Sequence, residues 1–299
     1  MNKTLWIIVA VLLIICGAIL FALAGMQMGW DFTKLDSKNF ETNTYEFSES
    51  IDSIKIETVS GQIRLLPTSD GVCRVECWEN EKMKHLVSVA DGALTVSCKD
   101  DRKWFDHITF FNFKSPSITV YLPESEYAAL TVKGSTGDVF VSEDLTFGEA
   151  NINITTGDVL FRADVKGELG IKLTTGDIEL ENMSAGSVYL NAATGDAEVS
   201  NLNCETFECD VSTGETELTN LIAREHIRIE CTTGDVTLTS CDAGELYIKT
   251  TTGDVEASLL SEKVCIAKAT TGSVNVPSFG SGGVCEIKTT SGDIKVNIK

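Results

Sequence analysis

The sequence predicts an all-β chain: a single-chain β-solenoid of stacked two-strand coils, each of 19–20 residues, preceded by one transmembrane helix. Three observations lead to this prediction. An uncharged apolar run stands near the amino terminus, a Thr-Gly-Asp motif returns at a nearly constant spacing, and apolar residues alternate with polar ones on both sides of the motif. Self-similarity at a fixed period of this length is typical of solenoids.

The apolar run Leu5–Leu23 contains no charged residue and is long enough to cross a bilayer as a helix. Lys3 precedes it, and positive charge favours the cytoplasmic side, although Lys34 and Lys38 follow closely and weaken this bias. We therefore expect a single-pass protein of the cell membrane whose C-terminal domain lies outside the cytoplasm. The run is longer than the usual core of a signal peptide, so we expect an uncleaved anchor, but Ala22-Leu23-Ala24 resembles a signal-peptidase site and leaves cleavage open.

Composition divides the chain into three parts. Residues 1–30 form the predicted transmembrane anchor, and residues 31–50, which are polar and lack periodicity, form a predicted tether. The solenoid is expected over residues 51–299. Within it, residues 69–126 lack the motif but keep strand-like alternation, with Asp91-Gly92 as a hairpin turn. Because the open end of a solenoid must be shielded, we expect this stretch to be a capping or inserted region.

The repeat is anchored on a glycine, as in Thr-Thr-Gly-Asp-Val at residues 155–159. Glycine supplies the positive φ that a chain reversal needs, and the following Asp can hydrogen-bond turn backbone. A second glycine stands nine residues earlier in five repeats and is expected to mark the opposite corner of the coil. The predicted turn glycines are Gly137, Gly157, Gly176, Gly195, Gly214, Gly234, Gly253, Gly272 and Gly292, and the second set is Gly148, Gly167, Gly186, Gly244 and Gly283.

Apolar residues flank each glycine with a period of two, which indicates strands that bury one face. Leu169, Ile171 and Leu173 lie seven, five and three residues before one of the glycines, and Val159 and Phe161 lie two and four residues after another. Each repeat is therefore predicted to be two short strands joined by a tight turn. One coil cannot bury its own apolar face, so the coils are expected to stack in parallel about 4.8 Å apart.

These repeats resemble a known family: the bacterial "putative adhesin" proteins, β-strand-repeat domains of unknown function that carry Thr-Thr-Gly-Asp-Val repeats behind an N-terminal membrane segment. The resemblance covers roughly residues 51–299. It implies a surface-exposed β-solenoid, which in some relatives takes part in adhesion or in envelope-stress systems. It transfers no catalytic residues, because the family has no established ones.

The aspartates that follow the turn glycines should form a ladder along one edge of the solenoid. The simplest interpretation is that each carboxylate accepts hydrogen bonds from turn N–H groups and faces solvent. The alternative is that divalent cations, above all Ca²⁺, bridge neighbouring coils, since oxygen ligands suit such ions. Glu215 would continue the ladder and Ser273 would interrupt it. The candidate metal ligands are Asp138, Asp158, Asp177, Asp196, Asp235, Asp254 and Asp293.

The chain has ten cysteines, of which five are predicted to face inward as small buried hydrophobes. Cys265 and Cys285 occupy equivalent positions in consecutive repeats, so a disulfide between them and two free thiols are both open. A zinc site is not expected, because Cys73 and Cys77 stand without histidines nearby in sequence, and His85 is expected at the surface or in the cap. The inward-facing set is Cys209, Cys231, Cys241, Cys265 and Cys285.

Charge and motif content exclude several function classes. The formal charge of −20 would repel nucleic acid, so no nucleic-acid partner is expected. The acidic residues obey the repeat instead of interrupting it, whereas catalysis needs groups in unlike environments, so no enzyme and no cofactor are predicted. The aromatic stretch from Trp104 to Phe113 either packs over the first coils or presents a partner surface.

The sequence therefore predicts a membrane-anchored structural or binding module outside the cytoplasm. Its ligand would be a cell-wall polymer or another cell, as for an adhesin. The alternative is an accessory protein of an envelope-stress or signalling system that binds a membrane partner; a calcium-binding roll or a glycan-active enzyme is less favoured. Self-association through an uncapped C-terminal coil is a further expected contact, because unpaired strand edges template pairing.

Overall fold

The computed structural model describes residues 13–17, 19, 21–22, 26, 40–80, 83–100 and 115–299, with only the backbone described for residues 99 and 100. Most of the predicted membrane span Leu5–Leu23 lies outside these ranges, and within them no helix is long and apolar enough to cross a membrane. The aromatic stretch from Trp104 to Phe113 also lies outside the described residues.

The described chain is built from strands that wind into one continuous sheet. The strands near its amino end are β1 (Phe40–Phe47), β2 (Ser53–Ser60), β3 (Gln62–Thr68), β4 (Cys73–Asn80), β5 (Met83–Ala90), β6 (Ala93–Asp100) and β7 (Ser117–Pro123). The repeats supply β8 (Glu126–Thr136), β9 (Val139–Val141), β10 (Thr146–Thr156), β11 (Val159–Phe161), β12 (Asp164–Thr175), β13 (Ile178–Thr194), β14 (Ala197–Thr213), β15 (Thr216–Thr233), β16 (Val236–Thr252), β17 (Val255–Leu259), β18 (Val264–Thr271), β19 (Val274–Asn275), β20 (Val284–Ser291) and β21 (Ile294–Ile298).

The repeats form a two-layer β-solenoid, which confirms the predicted all-β solenoid fold. The segment leading into each turn glycine pairs in parallel with its equivalent in the next coil, as Leu169↔Val188 does, and the segment after the glycine does the same, as Val159↔Ile178 does. We call these two layers the pre-glycine layer and the post-glycine layer. Sequence alternation explains the core between them, because Leu169, Ile171 and Leu173 all point inward and are buried.

The turn glycines allow the coils to approach closely. Gly195 has φ 136°, and a Cβ added to it would press on the backbone carbonyl of Gly176 in the coil before, only 2.6 Å from its carbon. The same turns exchange backbone hydrogen bonds, as when Gly195 N donates to Thr213 O at 3.0 Å. All nine predicted turn glycines have a positive φ, between 129° and 148°. Side chains are therefore excluded at this corner both by conformation and by space.

The opposite corner is not turned by the second set of glycines. The left-handed conformation there belongs to Asn182, Asn201, Asn220 and Ser240, with φ between 53° and 57°. Asparagine tolerates this conformation, and its amides also stack, since Asn201 Nδ2 donates to Asn182 Oδ1 at 2.8 Å. Glycine is instead needed for close approach: a Cβ at Gly186 would lie 2.7 Å from the carbonyl oxygen of the preceding coil's glycine.

The last two coils are exchanged relative to their order in the sequence. β20 pairs with β16 on one side and with β18 on the other, and β21 lies in the same way between β17 and β19. The open end is therefore the coil of β18 and β19. In the C-terminal coil predicted to be uncapped, β18 covers β20 along its length, whereas β19 covers β21 only at Ile294 and Lys295. Side-chain size accounts for this order, because the inward residues of β18 are Cys265, Ala267 and Ala269, whereas β20 carries Ile287. Small residues expose less apolar area at an end.

The other end of the solenoid is closed by antiparallel strands. β6 and β7 form a first coil, in parallel with β2 and β3. The outer edges of this coil are covered by β5 on β6 and by β4 on β7, and β4 and β5 are joined as a hairpin. Covering exposed edges in this way prevents unwanted pairing.

Strand β1 completes this end. It pairs antiparallel with β4 along its whole length, from Phe40↔Asn80 to Phe47↔Cys73. The second half of the predicted tether over residues 31–50 thus belongs largely to the sheet. Phe40 and Trp78 pack together with ring centroids 4.4 Å apart, a long-range contact that local sequence pattern does not reveal.

Candidate functional site

The predicted aspartate ladder lies along one edge, and one carboxylate oxygen of each of its seven aspartates accepts a backbone N–H from the neighbouring coil. Asp158 Oδ1 accepts the backbone N–H of Asp177 at 2.9 Å, and Asp177 Oδ1 accepts that of Asp196 at 2.8 Å. The coil exchange carries the ladder from Asp254 to Asp293 and puts Ser273 at its end, where the Ser273 N–H lowers the pKa of Asp293 below its ordinary value. In the described part of the chain, no three of these carboxylates bring their oxygens within 4.8 Å of one another. The hydrogen bonds of the ladder join neighbouring coils, and cation binding between two carboxylates stays a prediction.

A groove of about 460 Å³ lies on the outer face of the post-glycine layer, at its first repeats. Arg64, Phe140 and Leu160 follow one another in register there, each on the strand position that points to solvent. The Arg162 guanidinium lies 5.9 Å from the centre of the Phe140 ring. The lining side chains are Gln62, Arg64, Leu66, Asp138, Phe140, Asp158 and Leu160. This concavity combines an apolar floor with a polar rim, which is the usual build of a ligand site.

The groove ends where the same outward row becomes acidic. Leu160 is in register with Glu179, which is followed by Glu198 and Glu217. Burial raises the pKa of Glu179 above its ordinary value, and the neighbouring Glu181 adds to this. Arg162 offsets part of the negative charge through an ion pair with Glu181 at 2.5 Å. The groove is thus a local apolar site at one end of an acidic face.

The pre-glycine layer carries a different outer face, on which opposite charges compensate. Arg228 lies 5.0 Å from the ring centre of Tyr247, and Lys249 pairs with Glu230 at 3.5 Å. Tyr189 donates to Asp210 at 3.1 Å. These exposed pairs add little stability individually.

A buried polar cluster in the end hairpin was not foreseen from the sequence. Cys77 and Glu79 lie on the inward face of β4, and His85 lies on β5; their ligand atoms are all within 4.8 Å of one another. His85 is 2% exposed and Glu79 is fully buried. Of the two places expected for His85, the structure shows the cap and not the surface, and the fold brings its ring close to Cys77, which the sequence analysis did not expect. Burial raises the pKa of the Cys77 thiol to about 12, with a further contribution from Glu79.

The sequence held one signal for this cluster. The inward positions of β4 are Cys73, Val75, Cys77 and Glu79, so a carboxylate occupies a position that the alternation reserves for core residues. A charged residue almost never occupies such a position without a partner. Which residue supplies the partner depends on the β4–β5 hairpin, and this lies beyond pattern reasoning.

Most of the other described cysteines are core thiols, although Cys16 is exposed. Cys265 and Cys285 are directly opposite each other on β18 and β20, and both are free thiols. Burial raises the pKa of Cys209 and of Cys285 to about 12, so both stay protonated at neutral pH. His226 lies 3.3 Å from Glu208 on a half-buried part of the outer face.

A comparison with known protein families identifies the family to which this architecture belongs. The family model described as Toastrack DUF4097 matches residues 51–215 and 187–299, which together span the whole solenoid. The chain belongs to the Toastrack DUF4097 family. No curated protein matches the chain.

Solved structures similar to this Toastrack chain carry the same fold. One is described as a "putative lipid binding protein" from Parabacteroides distasonis, with 19% identity, 88% of this chain and 98% of that chain covered, and a TM-score of 0.52. Another is a "putative adhesin" from Bacteroides fragilis, with 20% identity, coverage of 86% and 97%, and a TM-score of 0.49. At this identity the likeness shows the fold alone.

Proposed function

We propose that this Toastrack chain is a non-catalytic binding module, anchored in the cell membrane by its N-terminal segment, with the solenoid outside the cytoplasm. The observation that carries the proposal is the groove at Phe140, where an apolar floor meets carboxylate, amide and guanidinium groups. The uncharged run Leu5–Leu23 supports the anchor. The acidic rows support the absence of catalysis, because they follow the repeat instead of interrupting it, whereas acid–base chemistry needs groups in unlike environments.

The groove suits a glycan of the cell wall. A sugar ring presents an apolar face to side chains such as Phe140 and Leu160, and its hydroxyls can donate to Asp138 or Asp158 and accept from Arg64. The formal charge of −20 and the acidic row beside the groove disfavour an anionic polymer. The proposed ligand is therefore a neutral or amine-bearing wall glycan.

A second candidate function is an accessory role beside a membrane protein. The groove lies on the coils next to the end closed by β1, and β1 is the described strand nearest to the proposed anchor in sequence. In the anchored orientation this end faces the membrane. A partner with an extracytoplasmic apolar segment would then reach the groove more readily than a distant wall polymer would.

Variants of the outward row test both functions. Phe140→Ala and Leu160→Ala remove the groove floor, and Thr237→Ala, at the equivalent outward position four coils beyond Leu160, is the matched control. Binding of the full chain in mild detergent to isolated wall material is expected to fall at least tenfold in the two groove variants and to stay unchanged in the control.

Photo-crosslinking in intact cells separates the two candidates. A crosslinker at position 140, but not at position 237, should capture wall glycan if the chain is an adhesin and a membrane protein if it is an accessory. Wall binding that survives the loss of both Phe140 and Leu160 would remove the groove as the site. If no product forms from position 140, the binding proposal fails.

A further inference from the structure

The cluster of Cys77, Glu79 and His85 is the one place in the described chain where sulfur, oxygen and nitrogen ligand atoms converge. All three residues are buried, in an end region whose inward residues are mostly apolar and which also buries the polar side chains of Thr58 and Asn80. Sequences rarely place such groups in a core, and where they do the positions are expected to be functional or strained. We propose that these three side chains form a binding site for a zinc-class divalent ion that fastens the β4–β5 hairpin over the end of the solenoid.

The ligand types select the metal. A cysteine thiolate and an imidazole prefer Zn²⁺ and related transition metals, whereas Ca²⁺ and Mg²⁺ prefer oxygen alone. Bonds of about 2.0–2.3 Å in a tetrahedral zinc site place the ligand atoms about 3.3–3.8 Å apart. The atoms of the cluster lie within 4.8 Å of one another, so small side-chain rotations suffice to reach that geometry. Three protein ligands leave a fourth position for water.

The surrounding hydrogen bonds hold the ligands as outer partners do in metal sites. Thr58 Oγ1 donates to Ser60 O at 3.2 Å, which leaves it able to accept from His85 Nε2 at 3.4 Å. His85 Nδ1 then faces Glu79 Oε2 at 2.7 Å, and Asn43 Nδ2 donates to Glu79 Oε1 at 2.8 Å. A metal ion would take the place of the hydrogen between Nδ1 and the carboxylate, with Nε2–H still held by Thr58.

The location gives the ion a structural role. β4 is paired with β7 and β5 with β6, so the hairpin straddles the two edges of the first coil. β4 and β5 pair with each other only at Asn80↔Met83. An ion shared by Cys77 and Glu79 of β4 and by His85 of β5 would join the strands at the point where they separate.

Metal analysis of the full chain tests the proposal. The chain is purified in mild detergent from cells grown with zinc, without a histidine tag and without chelator, and its zinc content is measured by mass spectrometry. About one equivalent is expected in the wild type and less than about a tenth in Cys77→Ser and in His85→Gln, since each removes one of three ligands. Cys73→Ser is the matched control, because Cys73 lies on the same inward row and should leave the content unchanged.

Two further measurements keep the result decisive if a ligand variant fails to fold. Refolding the wild type with Co²⁺ alone should produce the intense charge-transfer absorption of a cobalt–thiolate bond. Asn43→Ala, which removes an outer partner and no ligand, should weaken Co²⁺ binding about 10- to 100-fold. A folded wild type that carries no stoichiometric zinc and gives no thiolate absorption with Co²⁺ would overturn the proposal, and so would full zinc content in folded Cys77→Ser. The cluster would then be a hydrogen-bonded polar staple.

Discussion

Replacing the turn glycine Gly195 by alanine should destabilise the solenoid strongly. Its φ of 136° is unfavourable for any residue with a Cβ, at a cost of about 1–3 kcal/mol. The new Cβ would also press on the Gly176 carbonyl, with 2.6 Å to its carbon, so the two coils must separate at this corner. Separation weakens the hydrogen bonds that join these two coils, from Gly176 N to Thr194 O at 3.0 Å and from Ile178 N to Asp196 O at 2.9 Å, each worth about 0.5–1.5 kcal/mol. The expected loss is therefore about 2–6 kcal/mol.

Urea unfolding of the full chain, followed by circular dichroism, measures this loss. Gly170→Ala is the matched control: Gly170 also lies in a coil, but the nearest atom to an added Cβ is the Asn151 amide nitrogen at 3.4 Å, the end of a movable side chain. It should change the free energy of unfolding by less than about 1 kcal/mol. The slope of the free energy of unfolding against urea concentration must also be compared between the variants, because long repeat arrays can unfold in steps. If Gly195→Ala costs no more than Gly170→Ala, close coil contact at the glycines does not limit stability.

Three further predictions concern the ladder, the thiols and the open end. Asp177→Ala should cost about 1 kcal/mol by removing the acceptor for Asp196 N, whereas Asp177→Asn keeps an acceptor and should cost less; equal losses in urea unfolding would contradict the hydrogen-bond role. Burial raises the pKa of Cys285 to about 12, above its value near 8.5 in the unfolded chain. The stability that the protonated thiol contributes should therefore be complete below pH 8 and decline as the pH rises toward 12. The melting temperature of Cys285→Ala should fall less over this pH range than that of the wild type, and an identical fall would refute the assignment. Ile266 is 53% exposed on β18, in the coil at the open end of the solenoid. Ile266→Lys should therefore reduce any concentration-dependent association of the full chain, measured by sedimentation. Unchanged association would show that the open end is not the contact between chains.

The repeated part of the fold could be predicted because one local pattern sets each coil. A period of two around a glycine determines which residues point inward, and Leu169, Ile171 and Leu173 do so in the structure. The order of the last coils could not be predicted in the same way. β18 and β20 present the same register to a neighbour, so only the fit of Ile287 against Cys265 and Ala267 distinguishes one order from the other.

The remaining differences also arise from long-range contacts. At the opposite corner, the left-handed conformation belongs to Asn182 and its equivalents, whose amides stack between coils. The sequence analysis assigned this corner to glycine. Strand β1 pairs with β4 across 40 residues at Phe40↔Asn80 and across 26 residues at Phe47↔Cys73, and the sequence analysis found no periodicity in residues 31–50. The Glu79 partner and the groove at Phe140 likewise depend on which segments the fold brings together.

Because the final coils are exchanged, the order in which they are synthesised differs from the order in which they stack. The coil of β18 and β19 is made before β20 and β21, yet it contacts the rest of the molecule through them. Until the residues of β20 and β21 are available, the edges of β16 and β17 lack the strands that cover them in the complete structure, and β18 can pair with β16 in the register that β20 uses. Deleting residues 284–298 would therefore remove one coil and leave the coil of β18 and β19 to pair directly with β16 and β17.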